Sequence, residues 1–468
     1  MIPATPICAT TDPRCEELPY RPDSADVFEA LADRPWAVFL DSGRPFAAPT
    51  VRRGRYDILA ADPVVTLVTR GAITEIRNGG ARTAPDDPLA LLREALLPLR
   101  GEAGELPFTG GAIGYFAYDL ARRFEAMPNR AADALGLPEM AVGIYDWALV
   151  VDHERRRSFF AGGRLPETRA RWGEIAALLR GKPGPRRGAF RATGPLRRHL
   201  ARAQYDEAFR RVQAYIRAGD CYQVNLAQRF SLAVEGDAWT AYRTLRAAAP
   251  APHGAYLNLP FAQILSNSPE RFLRVTGSVV ETRPIKGTAP RGADAAGDRR
   301  NANALRASAK NRAENVMIVD LLRNDLGKVC RPGSITVPEL CALESFPTVH
   351  HLVSEVRGRL APGRDAADAL RACFPGGSVT GAPKHRAMEI IEELEPERRG
   401  VYCGAIGYLG GDGGMDTSIA IRTAVYHKGA LSFHGGGGIV ADSQAEAEYR
   451  ETMDKVAAFL RFAETVEE

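Results

Sequence analysis

The sequence predicts an α+β fold built on antiparallel sheets, and three observations carry that expectation. Short strand-like runs cluster together and are followed by helical runs, rather than strand and helix taking strict turns as in a parallel βαβ repeat. The tetraglycine run 435–438 sits between a strand-like segment and Ile439-Val440, so it does not open a helix as G-x-G-x-x-G does in a dinucleotide fold. The helical stretches carry apolar residues at helical spacing, with Tyr205, Phe209, Val212 and Ile216 at i, i+4, i+7 and i+11.

Residues 1–20 are rich in Pro and Thr and read as a flexible tail. Residues 36–76 alternate β-like runs (AVFL, DILA, VVTLVT, AITEI) with Gly and Pro punctuation. PLALLREALLPL, 88–99, has a helical period, and β-like runs return at GAIGYFAY and YDWALVVD. The Gly-, Pro- and Arg-rich stretch GKPGPRRGAFRATGPLRR reads as a linker or long loop. The domain division is therefore an N-terminal region 21–180, a linker 181–200 and a second domain 201–464. That second region opens with a helix at 203–220. Strands follow at QVNLAQRFSL, GAYLNL, QILSNSPERFLRV and SVVETRPI, then helices near 308–326 and 383–395. GAIGYL, TSIAIRTAVYH and ALSFHGG are further strands, and a terminal helix begins near Ser443.

Composition excludes several classes. The chain has 468 residues, 45% of them apolar and 25% charged, the mix of a globular protein. A net charge of +4 is too small to argue for nucleic acid, and no aromatic-and-basic stacking platform is evident. No apolar run approaches the ~18 residues of a membrane helix. The N-terminus lacks a basic start followed by an apolar stretch, so it does not read as a signal peptide. The seven cysteines, Cys8, Cys15, Cys221, Cys330, Cys341, Cys373 and Cys403, are scattered without C-x-x-C, which fits a reduced, cytoplasmic setting. None lies in G-x-C-x-G, so a glutaminase-type cysteine nucleophile is absent from the sequence.

The motifs each have a plain structural reading beside the functional one. GGSVTGAPK, 376–384, nearly matches a phosphate loop, but Ala382 stands where Lys is required, and Pro383 reads as the first residue of a helix. The run 435–438 is a turn or bulge, or else a place where backbone N–H groups approach an anion closely. The helix around Lys310-Asn-Arg-Ala-Glu-Asn is apolar nearly all round and therefore buried; Glu314 on it must be ion-paired, with Lys310 or an arginine, or must bind a hard cation. Ser443-Gln-Ala-Glu446 is a capping box, and Glu448, Glu451 and Lys455 share a face that reads as solvated. Glu270 sits at a turn entering a strand, and Lys286 on a stiff loop between Pro284-Ile285 and Gly287.

SPERFL, TRPIKGTAPRG, AENVMIVDLLRNDLGKV, SFPTVHHLVS, FPGGSVTGAPKHRAMEIIEELEP, CGAIGYL, MDTSIAIRT and GGGGIVADSQAEAEYRETMDK occur in this order. Together they strongly resemble the chorismate-binding enzymes, densely over about 200–460 and more weakly over 36–160. The resemblance implies a large α+β sandwich of antiparallel sheets with outer helices and the site between layers. Two positions sort the branches. Members that add water carry a lysine where this chain has Gln223, so it resembles the ammonia users. Anthranilate-forming members typically read P-I-A-G-T, whereas P-I-K-G-T, as here with Lys286, is the pattern of the branch that forms 4-amino-4-deoxychorismate, the precursor of p-aminobenzoate and folate. Asn311, where the anthranilate branch commonly has Glu, agrees; anthranilate synthesis remains the alternative.

The resemblance also implies roles. Glu314 and Glu451, with Glu448 nearby, would hold Mg²⁺ against the ring carboxylate of chorismate. Arg422 and Tyr408 would hold the enolpyruvyl carboxylate. The amides of Gly436, Gly437 and Gly438 and the Ser378 loop would complete the anion cradle. His351 would touch the ring region and Lys455 would balance the acidic cluster. Glu270 would be the general acid for the C4 hydroxyl, and Lys286 would add at C2. Ammonia would come from a separate glutamine amidotransferase subunit. The family's N-terminal half can also carry a tryptophan-sized pocket near 38–43.

Overall fold

The computed structural model describes residues 13–46, 54–181, 187–346 and 349–464. Cys8, most of the expected tail, part of the expected linker, and Pro347 and Thr348 of the SFPTVHHLVS motif lie outside the described residues. Two large antiparallel sheets dominate. In the first, of 13 strands among the described residues, the path runs Arg14–Leu18, Arg157–Gly162, Trp147–Asp152, Tyr56–Ala60, Ala37–Asp41, His253–Leu259, Ala262–Ser268, Thr423–His427, Ala430–Ile439, Gln223–Gly236 and Phe190–Ala192. In the second, of 12, it runs Ile285–Pro290, Val349–Arg359, Val279–Thr282, Arg271–Thr276, Met415–Ile419, Ala405–Gly410, Gly111–Phe116, Met140–Tyr145, Val65–Arg70, Ile73–Asn78 and Gly80–Ala84.

Each sheet draws strands from both sides of the expected linker. Ala37–Asp41 pairs with His253–Leu259, and Gly111–Phe116 pairs with Ala405–Gly410. The sequence division at 181–200 is thus not a division between sheets. Two short strands in that stretch, Phe190–Ala192 and Arg197–Arg198, add to Gln223–Gly236. Arg14–Leu18, from the expected tail, pairs with Arg157–Gly162. The core between the sheets includes Val38, Ile58, Tyr115, Tyr145, Ile264, Ile406 and Val425, all buried. Burying one such aliphatic or aromatic side chain is worth roughly 1.5–3 kcal/mol, so the two halves are held by one shared interior.

Helices cover the outer faces. Pro88–Leu96 starts where Asp87 accepts from the amides of Leu89 and Ala90, and three residues of 3₁₀ helix end it. Arg202–Ala218 buries Tyr205, Phe209 and Val212 and ends at Gly219, whose φ of 84° places it in the left-handed region that Gly adopts freely. Ala309–Gly327 starts at Ser308, which accepts from Asn311 N–H. Its far face carries Arg312, Val316, Asp320 and Arg323 exposed, so the expectation of burial all round fails: Ile318, Val319, Leu322 and Leu326 make its apolar inner stripe, with Asn315 and Asp325 buried beside them. Pro383 caps Lys384–Leu394 from outside instead of serving as its first residue. Among the described residues, no helix is long and apolar enough to cross a membrane.

The terminal helix, Ala445–Glu464, lies across the strand Ala430–Ile439. The expected capping box does not form. Ser443 accepts from Val440 N–H and donates to Glu448 Oε1 at 2.6 Å, while Glu446 pairs with Arg202 and Arg450.

Candidate active site

The tetraglycine run is neither turn nor bulge. It lies within Ala430–Ile439, in register with Gln223–Gly236: Asn225 faces Gly438, Leu226 faces Gly437 and Ala227 faces Gly436. What requires glycine is the approach of other groups. A Cβ at Gly435 would strike the carbonyl of Thr452 in the terminal helix, and one at Gly438 would strike the Gln223 amide. One at Gly437 would stand 3.2 Å from Glu448 Oε2 and 3.8 Å from Glu451 Oε1, and one at Gly438 would be 3.1 Å from Glu314 Oε1. Bare backbone therefore lets three carboxylates, from two helices, converge over one strand.

Each carboxylate is matched by a lysine. Lys286 Nζ lies 3.2 Å from Glu314 Oε1, Lys310 Nζ 3.6 Å from Glu448 Oε1, and Lys455 Nζ 2.5 Å from Glu451 Oε1. Lys310 thus serves Glu448, and Glu314 takes Lys286. The face bearing Glu448, Glu451 and Lys455 is turned over the glycine strand, with Glu448 buried and Glu451 still open to solvent, and Lys455 also donates to Gly436 C=O at 2.9 Å. Gln223 Nε2 donates to Glu314 Oε1 at 3.1 Å, and Gln223 Oε1 is buried without a partner. Burial raises the Glu448 carboxyl above the usual range, with Glu451 adding to the effect. Burial also opposes charge on Glu451, but Lys455 prevails and its carboxyl is lowered. Among the described residues, no three His, Cys, Asp or Glu side chains stand as a closed metal cage. The donor chemistry nevertheless suits a hard divalent cation, since all three groups are carboxylates over a bare glycine floor.

Lys286, expected on a loop, stands in the strand Ile285–Pro290, where pairing with Val349–Arg359 shifts register between Ile285 and Thr288. Its amine donates to Ser378 C=O at 3.0 Å, so the short Gly377–Val379 turn meets this irregular stretch of strand there. Gly287, with φ of 86°, lets the strand run close to Asn311: a Cβ there would lie 3.0 Å from Asn311 Cγ. Glu270 is buried beside Lys286 and Ser378. Burial raises its carboxyl, against the opposing hydrogen bond of Ser378 and the charge of Lys286. A carboxyl so raised keeps a proton to give at higher pH than a surface glutamate does.

His351 faces Thr288 across the strand pair, and its Nδ1 lies 2.9 Å from Thr288 Oγ1. Burial, with the charge of Arg422, lowers its pKa to about 4, so the ring is neutral at pH 7. Arg422 holds a left-handed φ of 51°, a strained conformation for a non-glycine residue, and its carbonyl accepts from Asn267 N–H. Burial lowers its pKa, and among the described residues no carboxylate forms an ion pair with it. Half-buried, with Glu451 and Asp454 acting on it only through charge, the planar cation has the shape that suits a carboxylate.

Tyr408 is not brought to this cluster. It packs against Phe108, with ring centroids 5.4 Å apart, and points into the space between the sheets. It lines a cavity of about 970 Å³ with Leu40, Asp41, Arg271 and Arg283, where the pocket expected near 38–43 falls. The tyrosine near Arg422 is Tyr402, whose hydroxyl borders Gly436 and whose ring stacks on His434 at 4.8 Å. The resemblance pointed to Tyr408, inside the strand Ala405–Gly410, whereas Tyr402 stands in the turn before that strand, where strand periodicity gives no signal.

The comparisons now have a geometry to attach to. The family model described as chorismate binding enzyme matches residues 53–461. The chain belongs to that family. This chorismate-binding family member is 50% identical over 458 residues to aminodeoxychorismate synthase component 1 of Klebsiella aerogenes, covering 97% of this chain and 99% of that protein. It is 42% identical over 423 residues to anthranilate synthase component 1 of Thermus thermophilus, covering 89% and 90%. The crystal structure of anthranilate synthase component I from Streptococcus pneumoniae superposes with a TM-score of 0.76 at 35% identity, over 86% of this family member and 91% of that chain.

Proposed function

We propose that the chain aminates chorismate with ammonia to give 4-amino-4-deoxychorismate, for p-aminobenzoate and folate synthesis. The observation that carries the reading is the placement of Lys286: its amine meets Glu314, Ser378 and Glu270 at the glycine floor. The 50% identity to aminodeoxychorismate synthase component 1 supports it, against 42% for an anthranilate synthase.

In this reading Arg422 grips the enolpyruvyl carboxylate, with Tyr402 beside it, and the amides of Gly436, Gly437 and Gly438 and the Ser378 loop support the anionic substrate. Glu314, Glu448 and Glu451 would hold Mg²⁺, which offsets the ring carboxylate and draws electron density from the ring. Lys286 acts as the neutral amine, its ammonium proton having passed to solvent. Glu270 gives its proton to the C4 hydroxyl, which departs as water while the amine adds at C2 and both ring double bonds shift toward C4. Ammonia then adds at C4, both double bonds shift back, the C2–N bond breaks to release Lys286, and the surplus proton on the new amine returns to Glu270. Blocking C2 with Lys286 directs nitrogen to C4; open access to C2 is the route to anthranilate. Neutral His351 borders the ring without adding charge, and Lys455 keeps the acidic cluster balanced. The substrates are small molecules, with no call for nucleic acid or membrane, in the cytoplasm.

A partner is required for glutamine use, since the sequence contains no G-x-C-x-G nucleophile and the relative's name is that of a first component. The test is direct. Purified chain with chorismate, Mg²⁺ and ammonium should give a product of aminodeoxychorismate mass without pyruvate release. Glutamine should replace ammonium only when an amidotransferase subunit is added. Pyruvate and anthranilate fluorescence would refute the assignment, as would full activity in excess EDTA for the metal.

A further inference from the structure

Arg399 is a buried cation that the reaction above does not use. It lies in the loop between the helix Lys384–Leu394 and the strand Ala405–Gly410. Its guanidinium makes a fork with Glu395, Nε to Oε2 at 2.9 Å and an Nη to Oε1 at 2.6 Å. The remaining donors reach backbone: Val379 C=O at 2.8 Å and Asn225 C=O at 2.6 Å. Glu395 Oε1 in turn accepts from Ala227 N–H at 2.8 Å. The rings of Tyr118 and Tyr402 lie below the guanidinium at 4.8 and 5.9 Å.

These bonds end on two segments, and both carry candidate site groups. Val379 follows Ser378, whose carbonyl receives Lys286 and whose side chain borders Glu270. Asn225 and Ala227 lie two and four residues beyond Gln223, on the strand opposite the glycine run. Stability alone is a weak explanation for such a pair, because an apolar pair of similar volume commonly serves as well in a core. A planar fork with donors fixed in direction does something an apolar pair cannot: it sets the spacing between two backbone segments. We propose that Arg399, braced by Glu395, is a positioning residue for the amination, holding the Ser378 loop and the strand Gln223–Gly236 at the separation that Lys286 and Glu270 need. The role rests on the reaction proposed above.

Among the groups held this way, Lys286 and Glu270 are assigned to bond making and proton transfer; the Ser378 loop also supports the substrate, but the charged grip, Arg422, makes no hydrogen bond to the fork. Losing the fork should therefore fall mainly on kcat, with a smaller change in KM. Arg399→Lys keeps the charge but cannot make the fork and both carbonyl bonds together. The purified chain should remain folded by near-ultraviolet circular dichroism, lose at least 30-fold in kcat and keep its KM for chorismate within threefold. Thirtyfold corresponds to about 2 kcal/mol of barrier. Wild-type kcat in Arg399→Lys, or a loss of kcat/KM carried wholly by KM, would overturn the role. Should Arg399→Lys not fold, Glu395→Gln, of the same shape, is read by the same split of kcat from KM. The wild type is assayed alongside by product mass: absence of aminated product there refutes the reaction itself, separately from either result for the variants.

Discussion

Two charged regions of this molecule sit a sheet apart and are built on opposite rules. Over the glycine floor, every carboxylate is matched by a lysine: Glu314 with Lys286, Glu448 with Lys310, Glu451 with Lys455. Around the cavity between the sheets, carboxylates are matched by arginine. Arg246 forks onto Asp41, Arg271 onto Asp416 at 3.0 Å through both nitrogens, and Arg283 reaches Glu339, Glu344 and Glu355. An ammonium on a flexible stem is a point charge that changes partner without losing a fixed geometry, whereas a guanidinium fork is committed to one. The lysine pairs can therefore be remade when another charge arrives, whereas the arginine forks fix neighbours within a layer: Arg246 ties the helix Ala238–Ala248 to the strand Ala37–Asp41, and Arg271 and Arg283 join elements of the second sheet. Arg422 breaks the pattern in its own region: among the described residues no carboxylate forms an ion pair with it, and Glu451 and Asp454 act on it only through charge, which is the basis for the proposed grip on an anion.

If this contrast is right, substitutions in the two regions should separate activity from stability. The largest effect should come from Lys286→Ala, with a loss of roughly 10³-fold or more in aminated product, about 4 kcal/mol of barrier, and little change in melting temperature. Residual product should shift toward addition at C2, read by mass and fluorescence. Wild-type rates in both Lys286→Ala and Lys286→Arg would reduce this lysine to a counter-ion. Next in size, Arg246→Met in the arginine region should cost about 3–5 kcal/mol of stability in urea unfolding, because it leaves Asp41 buried and unmatched. The KM for chorismate of the folded fraction should not move. A change in KM with intact stability would erase the distinction between the regions.

Arg422→Gln should lower kcat/KM about 100-fold, chiefly through KM, since a charge-assisted bidentate grip is lost, near 2.7 kcal/mol. The smallest effect concerns pH. The raised Glu270 carboxyl binds its proton more tightly folded than unfolded. Its contribution to stability is whole below the ordinary glutamate value and is lost as pH rises through the raised one. Glu270→Gln should therefore be more stable than wild type at pH 8 in urea unfolding, and the gap should close toward pH 4. His351 has the opposite sign. Lowered to about 4, it favours the folded state above pH 6.5 and withdraws that support as pH falls toward 4.

Much of this was legible in the chain before any coordinates. Antiparallel sheets followed from the clustering of strand runs, and Arg202–Ala218 from the spacing of Tyr205, Phe209 and Val212. Motif likeness marked Lys286, Glu270, Glu314 and Arg422. What local pattern could not carry was pairing across hundreds of residues, such as Ala37–Asp41 beside His253–Leu259, which merges two apparent domains. It also could not place Tyr402, in the turn before the strand Ala405–Gly410, beside Gly436, because no periodic pattern extends through that turn. The capping box at Ser443 failed for a tertiary reason: Glu448, drawn over the glycine floor, took the serine hydroxyl, and Arg202 took Glu446. Charged faces are equally ambiguous from sequence, since Glu448, Glu451 and Lys455 look like any solvated helix stripe until the strand beneath them is known to be bare.

The order of strands has a consequence for how the chain comes into being. Gln223–Gly236 acquires its longest neighbour only when Ala430–Ile439 has been made, about 200 residues later. At roughly 5–20 residues per second on a ribosome, that edge waits about 10–40 seconds. For that interval it presents an unpaired row of backbone donors and acceptors, a template for wrong pairing with any passing strand. Gly437 and Gly438, which make room for the three carboxylates in the finished protein, also come late, in the strand that finally closes this edge. Chemistry and completion of the sheet are therefore one event: a chain cut before residue 430 lacks both the floor of its site and the partner of that strand, and should be found with chaperones or in aggregates rather than as a partly active enzyme.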